Sequence, residues 1–162
     1  MFLAASKTPA RLLAAIALAS FGGVAIALVA QHVFGVKPCP WCVMQRGIFL
    51  LLGVVAALGW LLQRTLPLRR AALLLLLLAL AGLASAYYQH DVASKLASCD
   101  MTLADRVITA LNLEELWPPV FMVTASCSEA AAYRLLGLPY EVWSGLLYAL
   151  IFLAALAGLR RR

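Results

Sequence analysis

The sequence predicts an all-α integral membrane protein, a bundle of four transmembrane helices with one short interfacial helix in its second outer loop. Three observations lead to this fold class. First, 65% of the 162 residues are hydrophobic and only 12% are charged, whereas soluble domains are about 45–50% apolar and about 25% charged. Second, four long apolar runs divide the chain. Third, basic residues are concentrated on one side of those runs.

The four apolar runs are each close to the roughly 20 residues that a spanning helix needs. Because lipid offers no hydrogen-bond partners, the backbone groups of such runs must pair within helices. The first run could instead be a signal peptide, but it exceeds the usual length of about 7–15 residues for a signal core. We therefore expect one membrane domain over 1–162, with spans at about 12–30, 43–62, 71–88 and 142–159, and outer loops at about 31–42 and 89–141.

The distribution of charge predicts the orientation of the bundle. One side, formed by 1–11, 63–70 and 160–162, carries eight Lys and Arg residues and no acid. The other side, 31–46 and 89–141, carries five basic residues and all seven acids. Since the side richer in Lys and Arg stays in the cytoplasm, both termini are expected there. This topology accounts for the net charge of +6, and we expect no nucleic-acid partner.

Four cysteines carry the chemistry of the chain, and all lie on the non-cytoplasmic side of this topology. Cys39 and Cys42 form a C-x-x-C pair, a spacing found in redox-active centres and in zinc sites. Cys99 and Cys127 each stand alone in the second loop, where a bridge between them could be redox-active or could simply stabilise the loop. A zinc site of all four cysteines is the alternative, but Cys99 and Cys127 are 28 residues apart, which does not suit a second C-x-x-C ligand pair.

The surroundings of Cys42 favour a reactive thiol. Cys42 is expected where the second span begins, and the N-terminus of a helix lowers the pKa of a thiol. Arg46 follows one helical turn later on the same face, where its positive charge would act in the same direction. Arg46 could also be an interfacial anchor whose side chain extends to lipid headgroups.

Two short helices are predicted in the second loop. Ser126 and Glu129 fit a capping box, so Cys127 would lie in the first turn of a helix that ends near Leu136. Upstream, a T-x-x-D start signal at 102–105 precedes apolar residues at helical spacing. That second helix could lie flat in the membrane interface or pack against the bundle. Its apolar residues are Ala104, Val107, Ile108 and Leu111.

The stretch QHVFGVKPCPWCVMQR at 31–46 closely resembles the first redox loop of the DsbB family, the bacterial disulfide bond formation proteins. The resemblance covers nearly the whole chain, with four spans and two cysteine pairs in the same order. At 124–126 this chain has Thr-Ala-Ser, where the family often has Ser-Gly shortly before the cysteine, which affects the geometry of that turn. The other matching segments are Tyr88-Gln-His90, Cys99-Asp100, Pro119-Val-Phe, Cys127 and Leu136-Gly-Leu-Pro.

The resemblance implies an enzyme, a thiol:quinone oxidoreductase of the bacterial inner membrane. Such an enzyme reoxidises a periplasmic DsbA-like thioredoxin-fold protein and passes two electrons to a membrane quinone, ubiquinone or menaquinone. A relative of vitamin K epoxide reductase is a competing hypothesis, although those proteins usually carry the C-x-x-C near the last span. A membrane protein with purely structural disulfides is another.

The resemblance also implies a role for each site residue. Cys99 would be attacked by the thiolate of the DsbA-like protein, forming a mixed disulfide. Cys127 would then attack Cys39, and Cys42 would face the quinone. The residues beside the quinone would be Arg46 and His90, the second of which is by position alone an interfacial histidine.

Overall fold

The computed structural model describes residues 7–62, 68–96 and 101–160. Within these ranges, four helices are long and apolar enough to cross a membrane. They overlap the four apolar runs, so the all-α membrane fold with four spans is confirmed. These helices cover Ala10–His32, Pro40–Leu61, Arg69–Lys95 and Tyr140–Arg160.

The secondary structure consists of long helices joined by shorter elements, most of them in the second loop. The long helices are α1 (Lys7–His32), α2 (Pro40–Leu61), α3 (Leu68–Asp91) and α8 (Tyr140–Arg160). Between α3 and α8 lie a 3-10 turn (Ala93–Lys95), α4 (Leu103–Ala110), α5 (Leu113–Leu116), α6 (Pro118–Phe121), α7 (Cys127–Ala131), and the short antiparallel strands β1 (Arg134–Leu135) and β2 (Leu138–Pro139).

The four long helices close into a ring in which α1 and α3 each pack against both α2 and α8. In the core, the rings of Phe49 and Tyr148 stack with centroids 4.0 Å apart. Gly82 makes room for this stack, because a Cβ at that position would overlap the Tyr148 ring. The Tyr148 hydroxyl also donates to the Gln45 carbonyl over 2.8 Å, which ties α8 to the first turns of α2.

The outer surface of the bundle is apolar as well. Leu18 is 75% exposed, Leu77 is 65% exposed and Leu150 is 63% exposed. A helix that is hydrophobic on its exposed face as well as its buried face is typical of a membrane span.

Helices α1 and α3 end, and α2 and α8 begin, at the same end of the bundle, which we call the cysteine end because it holds Cys39, Cys42 and Cys127. The two segments that connect these helices there are hydrogen-bonded to each other. The backbone N–H groups of Thr124 and Ala125 donate to the Pro38 carbonyl over 3.0 and 3.2 Å. These bonds place the segment carrying Cys127 directly against the residue that precedes Cys39.

Helix α4 begins as predicted, with the Thr102 hydroxyl accepting from the Asp105 backbone N–H over 3.5 Å. Its apolar residues, however, do not share one buried face. Ala104 and Ile108 are buried against the bundle, whereas Val107 is 36% exposed and Leu111 is 60% exposed. One side of the helix therefore packs on the start of α2, and its position in the membrane interface stays a prediction.

Helix α7 has the predicted capping box. The Ser126 hydroxyl accepts from the Glu129 N–H, and the Glu129 carboxylate accepts from the Ser126 N–H. The predicted end near Leu136 was wrong, because α7 ends at Ala131.

A two-residue hairpin takes the place of the missing helical turns. Leu136 and Gly137 have φ angles of 52° and 83°, and positive φ at both central residues is what a tight hairpin turn of type I′ requires. The Trp143 indole donates to the Leu135 carbonyl over 2.9 Å, which holds the hairpin against the start of α8.

Candidate active site

The C-x-x-C pair lies at the N-terminus of α2, which begins three residues before the predicted start at 43. Cys39 is the N-cap, and its sulfur accepts from the Cys42 backbone N–H over 3.4 Å. Pro40 follows at the first helical position, where the N–H that proline lacks would have no partner within the helix. Both cysteines are free thiols, with their Sγ atoms 2.9 Å apart. The pair is therefore held by the first turn of a spanning helix.

A buried amide from α3 contacts both sulfurs. The Gln89 Nε2 group donates to Cys42 Sγ over 3.2 Å and to Cys39 Sγ over 3.5 Å. Its Oε1 accepts from Gln45 Nε2 over 2.8 Å, which fixes the orientation of the amide. Our reading of the sequence missed Gln89 as a site residue. The signal that could have identified it is an amide within an apolar span, where a polar side chain is costly unless it has a function.

Cys39 is fully buried in a small cluster that also contains Cys127. The hydrogen bond with the Cys42 thiol raises the pKa of Cys39, and burial raises it further by penalising the charged thiolate. The reduced Cys39 is therefore a protonated thiol at neutral pH. The cluster is formed by Cys39, Trp41, Ala93, Ala104, Cys127 and Ala130.

Cys127 lies in the first turn of α7 and is 1% exposed. It takes part in a disulfide. Cys99 falls at 97–100, outside the described residues, so the pairing of Cys99 with Cys127 stays a prediction. Within the ranges that the structure describes, no group of three or more His, Cys, Asp or Glu side chains could hold a metal ion.

A cavity of about 70 Å³ lies on the other side of the pair, between the ends of the spanning helices. Helix α1 contributes mainly small apolar side chains to its wall. Cys42 lines this cavity and also packs against the cluster, whereas Cys39 lies within the cluster that contains Cys127. The two sulfurs of one pair therefore have different surroundings. The polar and charged side chains that line the cavity include Lys37, Gln45, Arg46, Gln89 and Glu141.

Arg46 is 6% exposed and lines the cavity. Its Nη1 atom donates to Gln31 Oε1 on α1 over 2.5 Å and to the Val120 carbonyl over 2.9 Å. The alternative of an anchor that extends to headgroups does not fit this burial. The guanidinium group instead joins α1, α2 and the second loop at the edge of the cavity.

His90, predicted as a second residue beside the quinone, lies in the last turn of α3. Its side chain is 53% exposed, and its Nδ1 atom is 3.2 Å from Oε1 of Glu141, which is 2% exposed. Glu141, not His90, lines the cavity, so direct contact of His90 with a quinone stays a prediction. Glu141 was missed, although a carboxylate at the start of the fourth apolar run is a detectable signal.

Comparison with known proteins identifies the family. The sequence matches the family model described as "Disulfide bond formation protein DsbB" over residues 9–158. The chain belongs to the DsbB family. The matched range covers the positions of all four cysteines and nearly all of the four spans, so the resemblance inferred from the sequence is confirmed.

Individual members of the family are similar over most of their length. "Disulfide bond formation protein B" of Cupriavidus necator is 35% identical over 91% of this chain and 90% of its own. The protein of the same name from Polaromonas naphthalenivorans is 32% identical over 99% of this chain and 97% of its own. "Disulfide bond formation protein B 1" of Pseudomonas putida is 32% identical over 91% of this chain and 85% of its own. The chain is thus a multi-pass membrane oxidoreductase of disulfide bond formation, and membership of the DsbB family replaces the vitamin K epoxide reductase hypothesis.

Proposed function

We propose that the chain reoxidises a periplasmic, DsbA-like thioredoxin-fold protein and passes two electrons to membrane quinone, either ubiquinone or menaquinone. One observation carries the proposal. The Cys39–Cys42 pair lies between a buried cluster that contains Cys127 and a cavity that is lined by Cys42 and Arg46. A pair in this position can exchange with a disulfide on one side and reduce an apolar acceptor on the other.

The exchange steps take place on the side of the cluster. A thiolate of the DsbA-like protein attacks Cys99 in a Cys99–Cys127 disulfide, which gives a mixed disulfide and releases the Cys127 thiolate. Cys127 attacks Cys39 of the oxidised pair, forming a Cys39–Cys127 bond and releasing Cys42. The second thiolate of the DsbA-like protein displaces Cys99, and Cys99 then attacks Cys127. The products are an oxidised partner and a reduced Cys39/Cys42 pair.

The reduced pair is then reoxidised at the cavity. Formation of the Cys39–Cys42 disulfide releases two electrons, which a bound quinone would accept together with two protons to become quinol. Arg46 would hold a quinone oxygen by N–H donation, and the Gln89 amide would support negative charge on Cys42. A hydrogen bond to a charged group is stronger than one between neutral groups, so these donors favour the charge that develops during electron transfer.

The shape of the site supports an isoprenoid quinone. An apolar groove of about 480 Å³ borders the cavity and shares Ala30, Val36 and Tyr140 with it. The groove follows the outer face of α1, where an isoprenoid chain could lie in contact with lipid. A quinone also suits the energetics, because a DsbA-type oxidant at about −120 mV needs an acceptor of higher potential.

A reconstituted reaction tests the proposal. Purified protein is mixed with a reduced DsbA-like protein and a soluble quinone, and thiol oxidation and quinol formation are followed together. We expect one disulfide formed for each quinol. With Cys42→Ser we expect no quinol, and no further partner disulfide after the first turnover. A partner that stays reduced, or one that is oxidised without quinol formation, would contradict the proposal.

The proposed location is the bacterial inner membrane, with both termini in the cytoplasm and the cysteine end in the periplasm. The excess of Lys and Arg on the opposite side supports this orientation. After reduction, a membrane-impermeant thiol reagent is expected to label cysteines from the periplasmic side of intact cells. Labelling of Cys39 from the cytoplasmic side alone would reverse the orientation.

A further inference from the structure

Glu141 places an ionisable carboxyl group at the wall of the cavity. Its side chain is 2% exposed, and its Oε2 atom has no hydrogen-bond partner among the described residues. An ionisable side chain buried in a membrane span is costly, so such residues usually serve a function. The hydrogen bonds of Arg46 go to Gln31 and Val120, not to the Glu141 carboxylate.

His90 connects this carboxyl group to water. The Nδ1 atom of His90 is 3.2 Å from Glu141 Oε1, while the imidazole is 53% exposed at the last turn of α3. The two oxygens of Glu141 therefore have different surroundings. Oε1 contacts His90, whose imidazole is exposed to water. Oε2 is buried, and Glu141 lines the same cavity as Cys42.

Electron transfer at this cavity requires protons as well. Conversion of a quinone into a quinol consumes two protons with two electrons. The exchange steps release Cys42 as a thiolate that the Gln89 amide supports, so the reduced pair supplies only the proton of the Cys39 thiol, which is hydrogen-bonded to Cys42 Sγ over 2.9 Å. A second proton source on the cavity side would complete the reaction.

We propose that Glu141 and His90 form a proton route from the aqueous surface into the cavity. The inference rests on the proposed function, because it needs an acceptor that takes up protons there. Glu141 gives one proton from Oε2 to the reduced acceptor, and the Cys39 thiol gives the other through Cys42. No proton of Cys42 is needed, because Cys42 was released as a thiolate, and His90 returns a proton from water to Glu141 through Oε1. Rotation of the carboxyl group then places the proton at Oε2 again, so protons and electrons balance.

Rapid mixing of the reduced protein with a soluble short-chain ubiquinone tests the route. Glu141→Gln keeps the size and polarity of the side chain but cannot exchange a proton. We expect it to slow quinol formation by about a hundredfold, as loss of a general acid typically does, while exchange with the DsbA-like protein stays within about twofold. Glu115→Gln is the matched control, because Glu115 is an exposed carboxylate of the second loop that contacts Asn112.

Chemical rescue separates proton delivery from structural support. His90 is half exposed, so His90→Ala should fold normally, and we expect slow quinol formation that added imidazole restores. Imidazole should not rescue Glu141→Gln. Loss of rate in His90→Ala without rescue, or wild-type rates in either variant, would overturn the route.

Infrared spectroscopy gives a readout that does not depend on rate. During a single turnover of the wild-type protein, we expect transient loss of a protonated-carboxyl band that shifts in D2O. The band should be missing from Glu141→Gln and present in Glu115→Gln. A wild-type protein that forms quinol without this band would overturn the proton route alone, whereas a wild-type protein that forms no quinol would instead contradict the proposed function.

Discussion

Cys39 and Cys127 are buried in one cluster, against which Cys42 packs, but the Cys39–Cys42 pair and Cys127 are held in place by very different structures. The pair lies at the start of a 22-residue spanning helix, with a buried amide and a guanidinium group beside it. Cys127 lies on a five-residue helix within a long connecting segment. That helix is held by an exposed capping box and by backbone bonds from the preceding residues to Pro38.

Cys39 and Cys127 are equally buried, but the contacts that hold them differ in number and extent. The position of Cys42 is determined by packing along the whole bundle, so its distance from the cavity is fixed. The position of Cys127 depends on a few local contacts, and segments of that kind open at a small free-energy cost. We expect the first pair to work as a fixed electron donor and Cys127 to work as the movable thiol that approaches Cys39.

Removal of one cysteine from each site gives the largest expected effect. Cys42→Ser and Cys127→Ser should both reduce turnover to background, but the reaction should stop at a different intermediate in each variant. Cys127→Ser has no Cys99–Cys127 disulfide, so its free Cys99 should attack the disulfide of the oxidised partner and accumulate a mixed disulfide that Cys127 is no longer present to resolve. Cys42→Ser should oxidise about one equivalent of partner and then stop.

Non-reducing electrophoresis, followed by mapping of the linked peptides, distinguishes these products. Trapping of the partner on Cys39 in Cys127→Ser would show that the proposed order of exchange is wrong.

Substitution of Arg46 should affect only the steps at the cavity that Cys42 and Arg46 line. Loss of a charged hydrogen-bond donor costs about 1–3 kcal/mol, or roughly five- to 150-fold. Arg46→Ala should therefore raise the Michaelis constant for quinone or slow quinone reduction by that factor, with attack of the partner on Cys99 unchanged. Arg46→Lys should recover part of the activity, since the charge remains but the planar guanidinium group is lost.

Steady-state kinetics with quinone and partner varied separately provide the measurement for Arg46. Arg106→Ala is the control, because Arg106 is an exposed arginine on α4 at the same end of the bundle. An unchanged dependence on quinone in Arg46→Ala would remove Arg46 from the quinone site.

Gln89→Leu should have a smaller effect that is also confined to the first pair. The amide donates to both sulfurs, so it stabilises the reduced pair relative to the disulfide. Loss of about 1 kcal/mol should lower the reduction potential of Cys39–Cys42 by about 20 mV. Equilibration with glutathione buffers measures this potential. A rise, or no shift, would show that the contacts of Gln89 with the sulfurs are energetically unimportant.

Ser126→Ala should give the smallest effect, and only at Cys127. Loss of an N-cap costs about 1 kcal/mol of helix stability, so α7 should fray and the rate of exchange at Cys127 should change by a few-fold. The potential of the first pair should stay the same. Stopped-flow measurement of mixed-disulfide resolution tests this, and a parallel change in quinone kinetics would contradict the separation of the two sites.

The capping box also predicts a pH dependence at α7. The hydrogen bonds from Ser126, chiefly that from its backbone N–H, lower the pKa of Glu129. A carboxylate whose folded pKa is lowered stabilises the folded state above its ordinary pKa, and that contribution is lost as pH falls through the lowered value. Hydrogen exchange of the first turn of α7 should therefore increase only in acid, and Glu129→Gln should remove this dependence.

The sequence was sufficient wherever a feature depends on local chemistry. Four spans followed from apolar runs, because lipid forces such runs into helices. The starts of α4 and α7 followed from Thr102 and Ser126, since a cap bonds to residues within its own first turn. The C-x-x-C pair was recognisable because both cysteines lie within one helical turn.

Prediction from the sequence failed where a distant contact competed with a local preference. The sequence predicted that the helix with Cys127 ends near Leu136, but the chain turns earlier into a hairpin, which Trp143 of the following helix holds in place. Val107 and Leu111 have the spacing of a buried face, yet the neighbouring bundle covers only the side of α4 with Ala104 and Ile108.

The amino-acid sequence by itself determined the membrane fold and the family, and it predicted the four cysteines as the residues that exchange electrons. Only the tertiary structure decided the surroundings of each sulfur, with Cys39 beside Cys127 and Cys42 at the cavity. It also brought Gln89 to the sulfurs and Glu141 to His90. These residues come from separate spans, and hydrophobicity along one helix does not specify which face of another helix it will meet. Lateral packing of the helices determines which faces meet, because buried polar side chains must find partners inside the bundle.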